Sequence, residues 1–209
     1  MSWEELGRRF ARLTTNVVVR SPRLWFALRG LMRFQFARLA PRWDAMRSET
    51  AYLPYEAALE RVEPPPRPAL DLGTGTGGAA FAIARRFPET EIVGADLAER
   101  MVDQARRNLP DEFADRVRFE VADASKLPYE DGSFDLVGLS NMIPFFAELA
   151  RVVAPGGFVI LAFSGGAETP IYVPPERLRV ELRRRGFTDF AEFSTDPGTA
   201  LLARKGERP

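Results

Sequence analysis

Neither cysteine nor histidine occurs among the 209 residues. The first absence excludes disulfides, thiolate metal sites and thiol nucleophiles. The second removes the commonest general base and the commonest metal ligand, so no metal is expected. Charge of one sign is not in excess either: 29 basic and 29 acidic residues cancel. No global field therefore draws in nucleic acid or an acidic membrane. Lysine is nearly missing, with only Lys126 and Lys205. The longest nearly apolar run, Val152 to Phe163, is too short to span a bilayer and is interrupted by Pro155-Gly156-Gly157. The opening Met1-Ser2-Trp3-Glu4-Glu5-Leu6 lacks the apolar core of a signal peptide. Together these absences lead us to expect a cytoplasmic protein without nucleic-acid partner or stable membrane insertion, acting as a monomer or homodimer.

What is present is ordinary in bulk and specific in detail. A 45% hydrophobic content over this length suits one domain plus an extension. From Ala69 onward, apolar runs of strand length alternate with amphipathic stretches of helix length, the pattern of βαβ units and a parallel sheet. Strands are expected at 69–72, 91–95, 117–121, 134–140, 158–163, 189–194 and 199–203, with helices near 77–87, 98–109, 144–153 and 175–185. Glu63-Pro64-Pro65-Pro66-Arg67-Pro68 reads as a stiff extended connector. It divides a helical cap or lid at 1–62 from the body at 69–209. Within the cap, Trp25, Leu28, Met32, Phe36 and Leu39 recur at helical spacing, with Arg29, Arg33 and Arg38 off that line. Such a basic helix can lie over a pocket or pack on the body, form a dimer contact, or rest on a membrane surface.

The chemistry is concentrated where the first apolar run ends. Ala69-Leu70-Asp71-Leu72-Gly73-Thr74-Gly75-Thr76-Gly77-Gly78 places an acid at the end of a strand, then alternating glycines at the start of a helix. Such a turn lets a ligand approach bare main chain. Read as Gly73, Gly75 and Gly78 it also satisfies the weak G-x-G-x-x-G dinucleotide pattern, so an NAD-dependent oxidoreductase stands beside any other nucleotide binder. Asp96, closing the run Ile92-Val93-Gly94-Ala95, can accept from both hydroxyls of a ribose and repels a 2′-phosphate. It can equally cap the helix that starts after Ala98. Asp123 ends a third run, where it can meet a ligand or cap a loop. Asp135 begins a strand instead of ending one and is expected to serve placement of the chain.

These acids in this order, followed by Leu127-Pro128-Tyr129-Glu130-Asp131-Gly132-Ser133-Phe134-Asp135-Leu136-Val137 and by Leu149-Ala150-Arg151-Val152-Val153-Ala154-Pro155-Gly156-Gly157, resemble a class I S-adenosylmethionine-dependent methyltransferase. Within that class the chain is most similar to the small-molecule enzymes of ubiquinone and menaquinone biosynthesis, and Arg42-Trp43-Asp44-Ala45-Met46 resembles an element that precedes their fold. The resemblance covers about residues 42–164. It implies a Rossmann-like, doubly wound α/β fold: a seven-stranded, mostly parallel sheet with an antiparallel last strand, and here an N-terminal helical extension.

It further implies S-adenosyl-L-methionine as cofactor and S-adenosyl-L-homocysteine as product. Gly73, Thr74, Gly75, Thr76 and Gly77 would lie against the methionine end, with Asp71 helping to hold its ammonium. Asp96 would take the ribose, Leu97 and Met101 the adenine surroundings, Asp123 the adenine amino group and the Ala124 N–H a ring nitrogen. Ser140, Asn141 and Trp43 would complete the wall, although Trp43 could also be plain core. Met142, Phe145, Phe146 and Tyr172 suggest a small, partly hydrophobic methyl acceptor. The related enzymes often carry histidines after the fourth strand, where this chain reads Ser140-Asn141-Met142-Ile143-Pro144. A base, if used, would be Glu168 or Tyr172, each of which could equally belong to a structural connector; otherwise the acceptor arrives already acidic. A cofactor-binding module without transfer activity remains the non-enzymatic alternative.

Overall fold

In the computed structural model, which describes residues 3–46, 48 and 50–207, seven strands form one sheet: β1 Ala69–Leu72, β2 Ile92–Asp96, β3 Val117–Val121, β4 Phe134–Ser140, β5 Val153–Phe163, β6 Phe187–Thr195 and β7 Gly198–Lys205. Their spatial order is β3-β2-β1-β4-β5-β7-β6. All neighbours are parallel except the pairs made by β7, which runs antiparallel to β5 and β6. Apolar content follows position in this order. β1 is buried at every residue, because helices cover both faces of a central parallel strand. The edge strand β3 alternates along its first residues between buried and exposed positions, and the edge strand β6 is buried only at Phe187.

Among the described residues seven α-helices accompany the sheet: α1 Trp3–Arg20, α2 Trp25–Leu39, α3 Leu53–Leu59, α4 Gly78–Arg86, α5 Glu99–Asn108, α6 Phe146–Val152 and α7 Pro175–Arg183. Two apolar cores separate by face. Leu70, Leu72 and Val137 pack with Leu149 of α6, Leu178 and Leu182 of α7, and Val18, Trp25 and Met32 of the N-terminal helices. Ala69, Leu136 and Ile160 pack with Tyr55 and Leu59 of α3, Ile83 of α4 and Val102 of α5. The alternation of inward residues along β1, with Ala69 on one face and Leu70 on the other, is the period of two that divides the cores.

The expected α/β architecture with an antiparallel last strand is therefore present, and its departures are local. The run Ala154-Pro155-Gly156-Gly157 was expected to separate a helix from a strand. Instead β5 begins at Val153, which pairs with Phe134 before the register slips and resumes at Leu136 with Phe158. A bulge absorbs the Pro-Gly-Gly stretch within the strand. β6 is likewise longer than expected because Asp189, at φ 50°, sits in an irregularity between Thr188 and Ala191. α3 lies ahead of the proline-rich connector in sequence, yet it packs against β5, β6 and β7. The connector is itself fastened: the Thr90 hydroxyl donates to the Pro66 carbonyl at 2.6 Å, and the Arg67 N–H donates to the Asp135 carboxylate at 2.7 Å.

Candidate functional site

The carboxyl ends of β1, β2, β3 and β4 meet where a doubly wound sheet forms its crevice. The turn after β1 is built for close approach: Gly73, Gly75 and Gly77 have φ of 73°, 54° and 96°, values that L side chains rarely adopt. The Gly73 and Thr74 N–H groups both donate to the Ala95 carbonyl, at 2.8 and 3.0 Å, locking the turn to β2.

Asp71 lies at the foot of this turn, wholly buried. Its Oδ2 accepts from the Thr74 hydroxyl at 2.6 Å, while Oδ1 has no partner. Burial pushes the carboxyl up from 3.8 to about 7, with Asp96 adding to the rise, against the lowering effect of the Thr74 hydroxyl and the nearby Ala80 N–H. The phenol of Tyr55 is also buried without a partner, on the same face. It stands where a side chain on Gly138 would be, 1.7 Å from the position of a Cβ there, and Gly138 is the register partner of Asp71. Burial and the nearby Asp71 hold the Tyr55 phenol well above its usual range.

Asp96 closes β2 with its carboxylate clasped by main chain: the Gly75 N–H donates to Oδ2 at 3.0 Å and the Ala98 N–H to Oδ1 at 2.8 Å. Burial nevertheless raises its pKa. The Ala98 bond is a helix cap, and the Gly75 bond ties the acid to the glycine turn, so Asp71 and Asp96 share one small structure.

Asp123, beyond β3, has different company. Its Oδ1 accepts from the Trp25 indole at 2.9 Å and from the Ser125 hydroxyl and N–H at 2.7 and 2.9 Å. Its Oδ2 accepts from Arg29 at 3.1 Å. Burial alone would raise this carboxyl, but the hydrogen bonds from Ser125, Trp25 and Arg29 outweigh it and hold the group below its usual value. Helix α2 thus lies over the end of β3. Trp25 also meets Phe145 edge to face at 5.3 Å.

The remaining predicted residues lie over the turn, in the adjoining core, or in the loops after β4 and β5. Trp43 and Met142 stand over the glycine turn: the Trp43 indole nitrogen comes within 3.4 Å of where a Cβ on Gly75 would lie, and Met142 Cγ within 2.6 Å of one on Gly73. Thr76 donates to the Asp44 carboxylate at 2.5 Å, and Asn108 donates to the same carboxylate at 2.9 Å. Met101 is buried with Ala40 and Ala98, and Trp43 packs against that cluster. Leu97 and Ser140 are half-buried and Ala124 is buried.

Asn141 serves the loop. At φ 52°, its amide nitrogen donates to the Ser164 hydroxyl at 2.8 Å, and its amide oxygen accepts from the Ser164 N–H at 2.9 Å. Glu168 is exposed, in a turn whose Glu168 carbonyl accepts from Arg8 at 2.9 Å. Arg12 bonds the Ala167 carbonyl at 2.9 Å. Tyr172 packs edge to face on Phe163 at 5.2 Å, and burial, with Glu176 and Glu192 nearby, raises its pKa. Sequence reasoning did not assign Trp25, Arg29 or Tyr55 to the site. Only the helical spacing of Trp25 marked it, and that spacing says nothing about an acid 98 residues away.

Residues 69–157 match the model of a methyltransferase domain. The chain is 38% identical over 139 residues to a demethylmenaquinone methyltransferase of Deinococcus radiodurans, covering 60% of this chain and 57% of that protein. It is 40% identical over 151 residues to a malonyl-[acyl-carrier protein] O-methyltransferase of Halorhodospira halophila, covering 66% of this chain and 49% of that protein. It therefore spans only about half of the length of these curated relatives. The solved phosphoethanolamine N-methyltransferase 2 of Haemonchus contortus, in complex with S-adenosyl-L-methionine, superposes with a TM-score of 0.60 at 20% identity, over 72% of this chain and 52% of that one. This last likeness is one of fold. The segment from β1 into β5 thus matches a methyltransferase domain, in line with the resemblance its motifs carry.

Proposed function

We propose that the chain transfers a methyl group from S-adenosyl-L-methionine to a small, partly hydrophobic acceptor. The observation that carries this reading is the pair of acids at the glycine turn: a fully buried Asp71 with one unpartnered oxygen, and Asp96 aligned by two backbone N–H groups. An unpartnered carboxylate oxygen beside bare glycine main chain fits a cationic amine, whereas a pyrophosphate there would be repelled. Asp96 is oriented to accept from a ribose diol. Asp123 would meet an adenine amino group once Trp25 and Arg29 release it, and Met142 and Trp43 would withdraw from the turn at the same time. We read α2 and the segment to Met46 as a lid that this chain closes over its own crevice.

The cofactor supplies an electrophilic methyl on a sulfonium. What the residues must do is align the acceptor, exclude water and hold the cation, which needs no built-in base. Tyr172, with its phenol moved up, is poorly suited to take a proton, and no histidine exists. We therefore favour an acceptor that is itself acidic: a phenol, a stabilised carbanion or a carboxylate. The substrates in the relatives' names, demethylmenaquinone and malonyl-[acyl-carrier protein], are compatible with that chemistry.

Titration calorimetry with S-adenosylhomocysteine and with NAD tests the assignment. Binding of the first, lost in Asp96→Ala, is expected. Binding of NAD with silence toward S-adenosylhomocysteine would overturn it.

A further inference from the structure

Helix α2 buries Trp25 and Met32 against the body, yet its outward side is also apolar: Phe26, Leu31 and Phe34 are 76%, 53% and 58% exposed, and Leu24 in the preceding turn is 51% exposed. A surface helix ordinarily turns a polar face to water, and one that is apolar nearly all round is ordinarily covered. The charged side chains of α2, Arg29, Arg33 and Arg38, are all of one sign. Between residues 1 and 46 there are nine arginines against three acids, an excess of six positive charges balanced by the rest of a neutral chain. Two of the arginines lie over the exposed rings, Arg29 above Phe26 at 5.0 Å and Arg38 above Phe34 at 5.6 Å.

We propose that this outward face of α2, with the turn before it, docks on an anionic bilayer surface. Charge selects the occupant. A second copy of the chain, paired about a twofold axis, would set this arginine-rich face against itself. Anionic headgroups would neutralise the arginines while the phenylalanines and leucines enter the acyl boundary, as in amphipathic helices that lie in the interface plane. Docking suffices without spanning, since among the described residues no helix is long and apolar enough to cross a membrane. The helix stays tethered to the body: α1 packs on α2, and Arg12 of α1 is tied to the Ala167 and Thr169 carbonyls of the body. The proposal holds whether or not the crevice transfers a methyl group.

Vesicle co-sedimentation of the full chain is the test. The protein should pellet with phosphatidylserine-containing vesicles, remain in solution with phosphatidylcholine alone, and be released by high salt, which screens the arginines. Phe26→Ser with Phe34→Ser should cut the bound fraction about tenfold or more, with circular dichroism unchanged because both rings are exposed. Arg33→Glu with Arg38→Glu should abolish the preference for anionic lipid. Equal partitioning onto neutral vesicles, no binding at low salt, or a dimer in light scattering that the double Phe variant dissolves would each overturn the proposal.

Discussion

The two halves of the crevice are held in different ways. At the glycine turn, Asp71 and Asp96 are oriented by groups within a few residues of β1 and β2: the Thr74 hydroxyl and the Gly75 and Ala98 amides. At the end of β3, Asp123 is held by Ser125 and by two side chains of α2, from a segment far away in the chain. The acids of the first half are oriented by the sheet and its own turn, although Trp43 and Met142 stand over the glycines there. The second half is closed by the N-terminal helices and opens only if they move. The difference teaches that a ligand finds the acids of one end already free to receive it, and must compete with protein side chains for the acid of the other.

The largest expected effect concerns Asp71, whose carboxyl stands at about 7 instead of 3.8. Because its folded value is raised, the ionised form is the destabilising one: ligand-free stability should fall as pH climbs from about 4 to about 7 and then level off. The full fall corresponds to about 4 kcal/mol. Asp71→Asn should flatten that slope relative to wild type in urea unfolding, and parallel pH curves for the two proteins would refute the burial argument. A cation held beside Asp71 would keep it ionised, so S-adenosylhomocysteine should bind more tightly as pH rises through about 7.

Asp96→Ala comes next. Loss of two charge-assisted bonds to a ribose should weaken S-adenosylhomocysteine binding by about 2–4 kcal/mol, and an unchanged dissociation constant in calorimetry would break the assignment of the preset half.

Trp25→Phe probes the other half, keeping the ring against Phe145 while deleting the indole donor. It should tighten S-adenosylhomocysteine binding about fivefold, the equivalent of one hydrogen bond of about 1 kcal/mol. Weaker binding would mean that Trp25 contributes to holding the ligand instead of guarding its place. The smallest effects are expected at Glu168→Gln and Tyr172→Phe, which should each keep turnover within about tenfold of wild type. A larger drop at either, with a shifted pH–rate profile, would restore a general base to the mechanism.

Much of this was legible along the chain. The strand-ending acids and the glycines between them are local features, and the clasp of Asp96 by Gly75 and Ala98 is what a strand-to-helix turn with that spacing produces. Asn141 was less legible. It reads as a ligand residue, but its amide is satisfied by Ser164 of a neighbouring loop, and a hydrogen bond between two loops leaves no periodic trace. The same holds for Tyr55, whose place in the core depends on Gly138 lacking a side chain 83 residues later.

By itself, then, the sequence determined the α/β class, the succession of strands and helices along the chain and the acids that end the strands, because hydrophobic period and turn chemistry act over a few residues. Tertiary structure decided that α3 joins the sheet layer, that Trp25 and Arg29 close on Asp123, and that the apolar outward side of α2 is left facing solvent. These are contacts between segments far apart in the chain, chosen by which surfaces can be buried together and which cannot.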